Sequence, residues 1–158
     1  MDLTRIKMRL IGFTVAAVFA SAAQAQGETA ALAVGLPDNI KWGPNPVIPG
    51  AFAAVLIGNP AKAEPFVVRL KFPDGYRIMP HTHTDQRVYT VLSGNYRTAI
   101  GTKFDESKLN DVPAGAVFLL PANAPHFNMA KGETIVQYSS VGPTATEFSD
   151  PADDPRKK

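Results

Sequence analysis

The chain of 158 residues contains no cysteine. Disulfides, thiol nucleophiles and Cys-based zinc or iron–sulfur sites are therefore excluded. Stability has to come from a core, a closed sheet or a metal held by other ligands. Excess charge is missing too. The formal net charge is +2, but residues 1–25 carry three of the 16 basic and one of the 14 acidic side chains, which leaves 13 of each beyond them. That balance gives no electrostatic footprint for nucleic acid, and none is expected as a partner. After residue 25 no apolar pattern holds a helical period. No serine sits in a nucleophile-elbow context, which argues against a hydrolytic triad. Tryptophan occurs once, as Trp42, and histidine only three times.

The first residues read as a secretory signal peptide. Arg5, Lys7 and Arg9 make a basic start, Leu10 to Ala20 is apolar, and Ala23-Gln24-Ala25 is a cleavage pattern. The alternative is a retained membrane anchor, but the apolar run is short for crossing ~30 Å of hydrocarbon. Cleavage after Ala25 is expected. It would leave residues 26–158 as one domain, without a membrane attachment, in the periplasm or outside a bacterial cell.

The rest of the chain is patterned as short strands divided by Gly, Pro, Asn and Asp. Residues 36–50 are rich in Pro and Gly and include Trp42. They read as an extended arm laid across the fold and anchored by that ring. Strands are expected at Ala51–Ile57, Phe66–Phe72, Ile78–His83, Arg87–Leu92, Tyr96–Ile100, Val117–Leu120, His126–Ala130 and Thr134–Val141. Phe66, Val68, Leu70 and Phe72 alternate onto one face. Ser93-Gly94-Asn95 reads as a tight turn, Asp105–Leu109 as one helical turn, and the tail from Ser149 as frayed. This is an all-β domain, either sandwich or barrel.

The histidines favour a barrel. Alternate residues of a strand share a face, so His81 and His83 can aim both rings at one point. His126 lies in a separate Pro-bounded strand and can supply a third nitrogen if the sheet closes. Three neutral imidazoles would bind one divalent transition metal (Fe, Mn, Ni, Cu or Zn) and leave positions open.

Two spaced patterns resemble those of the cupin superfamily. Gly75, five residues, His81-Thr82-His83, three residues, Arg87, six residues and Gly94 is similar to the first cupin motif. Gly115, five residues, Pro121, Ala122, Asn123, two residues and His126 is similar to the second. The likeness covers roughly residues 50–143, leaving 144–158 as a C-terminal tail. Gly132-Glu133-Thr134 and Val141-Gly142-Pro143 look like those of small single-domain bacterial cupins, many of them exported. The resemblance implies a double-stranded β-helix (jelly-roll) barrel, commonly dimeric, with metal ligands at His81, His83 and His126. A homodimer through the apolar strand Ala51–Ile57 is expected on that analogy. The chain departs from the pattern where Glu is usual, at Arg87, where Gly is usual, at Asn123, and where Asn is usual, at Ala130.

A permanent cation beside a divalent ion is unfavourable, so Arg87 should turn away or be neutralised. Strand register places Arg87, Tyr89 and Val91 inside. Arg87 could therefore clamp a carboxylate, or form an ion pair with Asp85 near the rim. Asp85 and Gln86 otherwise read as solvated turn residues. Tyr89 is the tyrosine expected to face a ligand, ahead of Tyr76 and Tyr96, and Asn128 could orient a ligand or a histidine. Phe118, Phe127 and Met129 are expected to line an apolar pocket or the core. The functional expectation is an exported metal-binding cupin with a small-molecule cavity. It would be an oxygenase or isomerase acting on a small anionic organic substrate. The alternatives are a non-catalytic binder of small molecules and a structural barrel with a degenerate site.

Overall fold

A computed structural model describes residues 34–157. The residues of the expected signal peptide lie outside that range. Among the described residues no helix is long and apolar enough to cross a membrane.

The fold is all-β. Among the described residues eight strands follow in order: β1 Gly43–Pro44, β2 Phe52–Ile57, β3 Pro65–Phe72, β4 Arg77–His83, β5 Arg87–Ile100, β6 Val117–Leu120, β7 His126–Val141 and β8 Thr146–Phe148. Every pairing is antiparallel. The main path runs β1-β2-β3-β7-β4-β8, and β5 joins β7 to β6. β7 is the hub. Its C-terminal half pairs with β3 and the start of β5, and its N-terminal half pairs with β4 and the end of β5. One long strand thus belongs to two layers, which is how the sheet curls into a jelly-roll barrel.

The expected turn at Ser93-Gly94-Asn95 does not reverse the chain. β5 continues through it, and the two strands expected at His126–Ala130 and Thr134–Val141 are likewise one. The register jumps there: Ser93 pairs with Ile135, but Asn95 pairs with Lys131. β5 and β7 bend together at Gly94 (φ 72°) and Gly132 (φ 76°). Left-handed backbone suits glycine, and a Cβ on Gly94 would fall 2.5 Å from the Glu133 carbonyl oxygen. The positive φ was legible as glycine, but a paired strand converts the turn into a bend.

The core follows the alternation read in β3. Phe66, Val68, Leu70 and Phe72 are all buried, and they pack with Ile78, Tyr89, Val91, Tyr96, Val136 and Tyr138. A second cluster of Ala99, Leu109 and Phe127, with Phe104 and Met129 against it, lies apart from that core. Phe127 and Met129 belong there, not to the first core.

The arm is held in place. Lys71 Nζ sits 5.2 Å above the Trp42 ring, Asn45 Oδ1 accepts from the Val47 amide at 2.8 Å, and the Tyr76 hydroxyl donates to the Pro49 carbonyl at 2.7 Å. The expected helical turn is a short 3-10 turn at Glu106–Lys108, capped by Asp105. The tail differs from expectation. β8 pairs with β4, setting Thr146 against His83 and Phe148 against His81. Beyond it, Asp154 is buried and Arg156 donates to the Thr146 carbonyl at 3.1 Å. The end of the chain is tied to the strand that carries two histidines.

Candidate metal centre and its cavity

Two strands build the histidine site. His81 and His83 stand on one face of β4, and His81 lies directly opposite His126 of β7. A bulge makes this possible. Ile78 pairs with Asn128 and His81 with His126, so three steps along β4 match two along β7. The extra residue brings Ile78 and His81 to the same interior, although their separation is odd.

The ring centroids lie 4.2 Å apart for His81–His126, 4.8 Å for His81–His83 and 5.2 Å for His83–His126. One nitrogen from each ring falls within 4.8 Å of the others. The remaining nitrogens are engaged. Nδ1 of His81 lies 2.8 Å from the Met79 carbonyl, inside the bulge, and Nδ1 of His126 lies 3.0 Å from the Ala124 carbonyl. A carbonyl only accepts, so both Nδ1 atoms carry the proton and both Nε2 atoms keep a bare lone pair. Nδ1 of His83 lies 3.1 Å from the Thr146 hydroxyl.

Burial keeps the rings neutral. Loss of water is the largest cause, and it lowers His81 to about 3 and His126 to about 4. For His81 the neighbouring His126 adds to the effect. His83 is lowered further, again by burial first and then by the Arg87 charge. Neutral imidazoles, oriented through Nδ1 by backbone or hydroxyl oxygens, are the donor set that a first-row divalent metal takes. His81, His83 and His126 therefore fit such an ion. Among the described residues no carboxylate joins them.

Arg87, in the position where the resemblance led to Glu, is buried at 4 % exposure and neutralised. Its Nε donates to Asp85 Oδ2 at 2.9 Å and its Nη2 to Asp85 Oδ1 at 3.3 Å. Nη2 also donates to the Thr144 hydroxyl at 2.7 Å, and Nη1 to the Tyr89 hydroxyl at 3.3 Å. The Thr144 hydroxyl donates in turn to Asp85. The guanidinium lies 4.4 Å from the centre of the Tyr138 ring. The ion pair with Asp85 is thus present, and it is buried, not at the rim. Asp85 is correspondingly not a solvated turn residue, whereas Gln86 is exposed. Burial pushes the Asp85 carboxyl up, but hydrogen bonds from Arg87 and Thr144 outweigh it and leave it below its ordinary value.

Beside the histidines lies a cavity of about 460 Å³, within the size range of small-molecule sites. His81 and His83 contribute from β4, and Arg87, Tyr89, Tyr96 and Tyr138 from β5 and β7. Val68, Leu70 and Ile78 supply apolar surface, and Arg156 reaches it from the tail. Arg87 and Tyr89 stand where register placed them. Asn128 does not reach the cavity. It is buried on β7 two residues from His126, and neither amide atom has a partner among the described residues. Phe118 backs the Tyr89 ring, stacked at 4.9 Å, and does not line the cavity.

Sequence reasoning passed over Tyr138, Thr144 and Arg156. Tyr138 was within reach, because it alternates with Val136 and faces Tyr89 across the β5–β7 ladder. Thr144 and Arg156 carry no local signal. Asn123, in place of the motif's glycine, has φ 59°, the left-handed region that Asn tolerates best among side-chain-bearing residues. Its amide donates to the His83 carbonyl at 2.7 Å, linking the two motifs.

The cupin family profile matches residues 64–151, more than half of the chain, and the chain belongs to that family. No curated protein matches it. Solved structures share the fold at low identity. The polyketide cyclase RemF from Streptomyces resistomycificus is 16% identical with TM-score 0.62, over 76% of this chain and 87% of that one. KdgF from Halomonas sp. is 19% identical with TM-score 0.53, over 68% and 91%. Salicylate 1,2-dioxygenase from Pseudoaminobacter salicylatoxidans, solved with gentisate, is 16% identical with TM-score 0.54, over 66% of this chain but 30% of that one.

Proposed function

We propose that this cupin holds one divalent transition metal through His81, His83 and His126, and binds a small organic molecule in the adjoining cavity. The observation that carries the reading is the state of the rings: buried, neutral, and each with Nδ1 already engaged. When bound, the metal would supply Lewis-acid or redox chemistry at its open positions. An oxygenase or isomerase acting on a small anionic substrate fits that provision. The solved dioxygenase complex, whose ligand gentisate is an aromatic carboxylate, is consistent with it. The roles of the chain are to orient the rings, exclude water and hold the substrate against the tyrosines beside Arg87. Export to the periplasm or beyond, through residues 1–25, is part of the proposal. So is a homodimer through β2, where Phe52 and Val55 stand exposed.

A second reading, binding without turnover, has its own support. Among the described residues no Asp or Glu lines the cavity, and none stands ready there as a general base.

Elemental analysis of protein purified without chelator or His-tag tests the metal. Near one equivalent is expected in the wild type and almost none in His126→Ala. Chelator should also lower the melting temperature of the wild type, because a ligand at a hundredfold excess over Kd adds roughly 2.7 kcal/mol of stability. Equal metal content and melting in both proteins, chelated or not, would leave a degenerate barrel.

A further inference from the structure

The cavity has two chemically different walls. β4 offers His81 and His83. β5 and β7 offer Arg87, Tyr89, Tyr96 and Tyr138. The second wall looks cationic in the sequence and is not so in the fold. Asp85 occupies the guanidinium fork of Arg87 through two hydrogen bonds, and Thr144 and Tyr89 take two more donors. Of the five N–H groups of an arginine, one on Nη1 is left. The charge is paired with Asp85 and the bidentate geometry that clamps a carboxylate is spent.

What remains on that wall is neutral. The Tyr96 and Tyr138 hydroxyls hydrogen-bond to no described residue, yet neither is among the buried atoms lacking a partner, so both open onto the cavity. Buried hydroxyls seek partners, and an occupant of the cavity must provide them. A neutral hydroxyl or carbonyl oxygen can do so. A second carboxylate would be stripped of water and find no uncompensated cation. At the other wall the balance is reversed. Three neutral imidazoles leave the charge of a divalent ion wholly uncompensated, so the anionic group of a ligand belongs there.

Resting on the metal reading above, we propose that the tyrosine wall selects an uncharged oxygen. The ligand class is a small organic acid with one anionic head, for the metal side, and one neutral hydroxyl or carbonyl, for Tyr96 and Tyr138. Arg87 then serves as a positioning residue that holds the Tyr89 hydroxyl and the Tyr138 ring, and not as an anion clamp.

Calorimetric titration of zinc-loaded and of metal-free protein tests this with three probe types. These are benzoate, the hydroxybenzoates (3- and 4-), and the dicarboxylates isophthalate and terephthalate. The better hydroxybenzoate should bind at least tenfold tighter than benzoate, and both dicarboxylates should bind more weakly than benzoate. The tenfold ratio should persist without zinc. In Tyr96→Phe and in Tyr138→Phe, tested separately, it should shrink, with melting temperature and zinc content confirming the fold. Dicarboxylates binding as tightly as hydroxybenzoates would overturn the proposal, as would equal affinity for benzoate and hydroxybenzoate, or binding of none of the probes. Zinc content of the same samples separates the two ideas. A preference without zinc uptake defeats the metal reading alone, and zinc uptake without a preference defeats this one alone.

Discussion

Two Asp-X-Arg units border the same cavity and behave as different chemical objects. In Asp85-Gln86-Arg87 the pair is 2.9 Å long, with side-chain exposures of 5 % for Arg87 and 3 % for Asp85. In Asp154-Pro155-Arg156 it is 2.8 Å long, but Arg156 is 41% exposed. Residue types and spacing are the same, and the contact distances are 2.9 and 2.8 Å. Solvent differs. Inside, neither charge has water to fall back on, so each depends on the other. Outside, Asp154 is buried but Arg156 keeps much of its hydration, so the pair contributes less than the inner one. Proximity in sequence therefore explains why both pairs form, and depth explains what each one does. The inner pair sets the electrical neutrality of a binding wall, and the outer pins the tail over Phe148 and β8.

The largest expected effect comes from breaking the inner pair. Asp85→Ala should cost roughly 3–5 kcal/mol in urea unfolding, because it strands the Arg87 charge in the interior. Removing both charges together, as Asp85→Leu with Arg87→Met, should recover most of that loss. A cost near zero for the single variant would make the two pairs equivalent.

A pH series sharpens the contrast next. The histidines share the interior with the inner pair, and burial lowers His81 to about 3 and His126 to about 4 from an ordinary 6.5. The unfolded chain therefore binds more protons than the folded one between these values. For metal-free protein this contribution is complete above about pH 6.5 and is lost as pH falls toward 4. A loss of at least about 2 kcal/mol between pH 7 and pH 5 is expected from denaturant melts. A flat profile across that range would mean that water reaches the rings.

The smallest effect belongs to the outer pair. Asp154→Asn should leave the melting temperature close to that of the wild type. What it should change is the tail, read as faster proteolytic trimming after Phe148. A drop in melting temperature as large as that of Asp85→Ala would show that the tail is part of the core.

Much of the barrel was legible because its signals are local. Period-two alternation in Phe66–Phe72 needs no partner to be seen, and the same period puts His81 and His83 on one face. The spacing of the two motifs placed His126. The misses share a cause. Gly94 and Gly132 both have the left-handed backbone that a turn would need, but whether such a glycine reverses a strand or bends it depends on the ladder beside it. Asp85 read as a turn residue because one of its partners, Thr144, is 59 positions away. β8 is three residues long and has no alternation to detect; it is a strand because β4 offers it an edge. Asn128 shares the face of His126, as alternation requires, but alternation fixes a face and not a neighbour.

The sequence by itself determined which residues could meet. Strand period, glycine positions and motif spacing constrain backbone geometry over a few residues, and that was enough for the three histidines and for an interior Arg87. Only the tertiary structure decided what those groups are once they meet. Neutral histidines, a paired arginine charge and unspent tyrosine hydroxyls all follow from which atoms exclude water from which others. That exclusion depends on contacts between residues far apart in the chain.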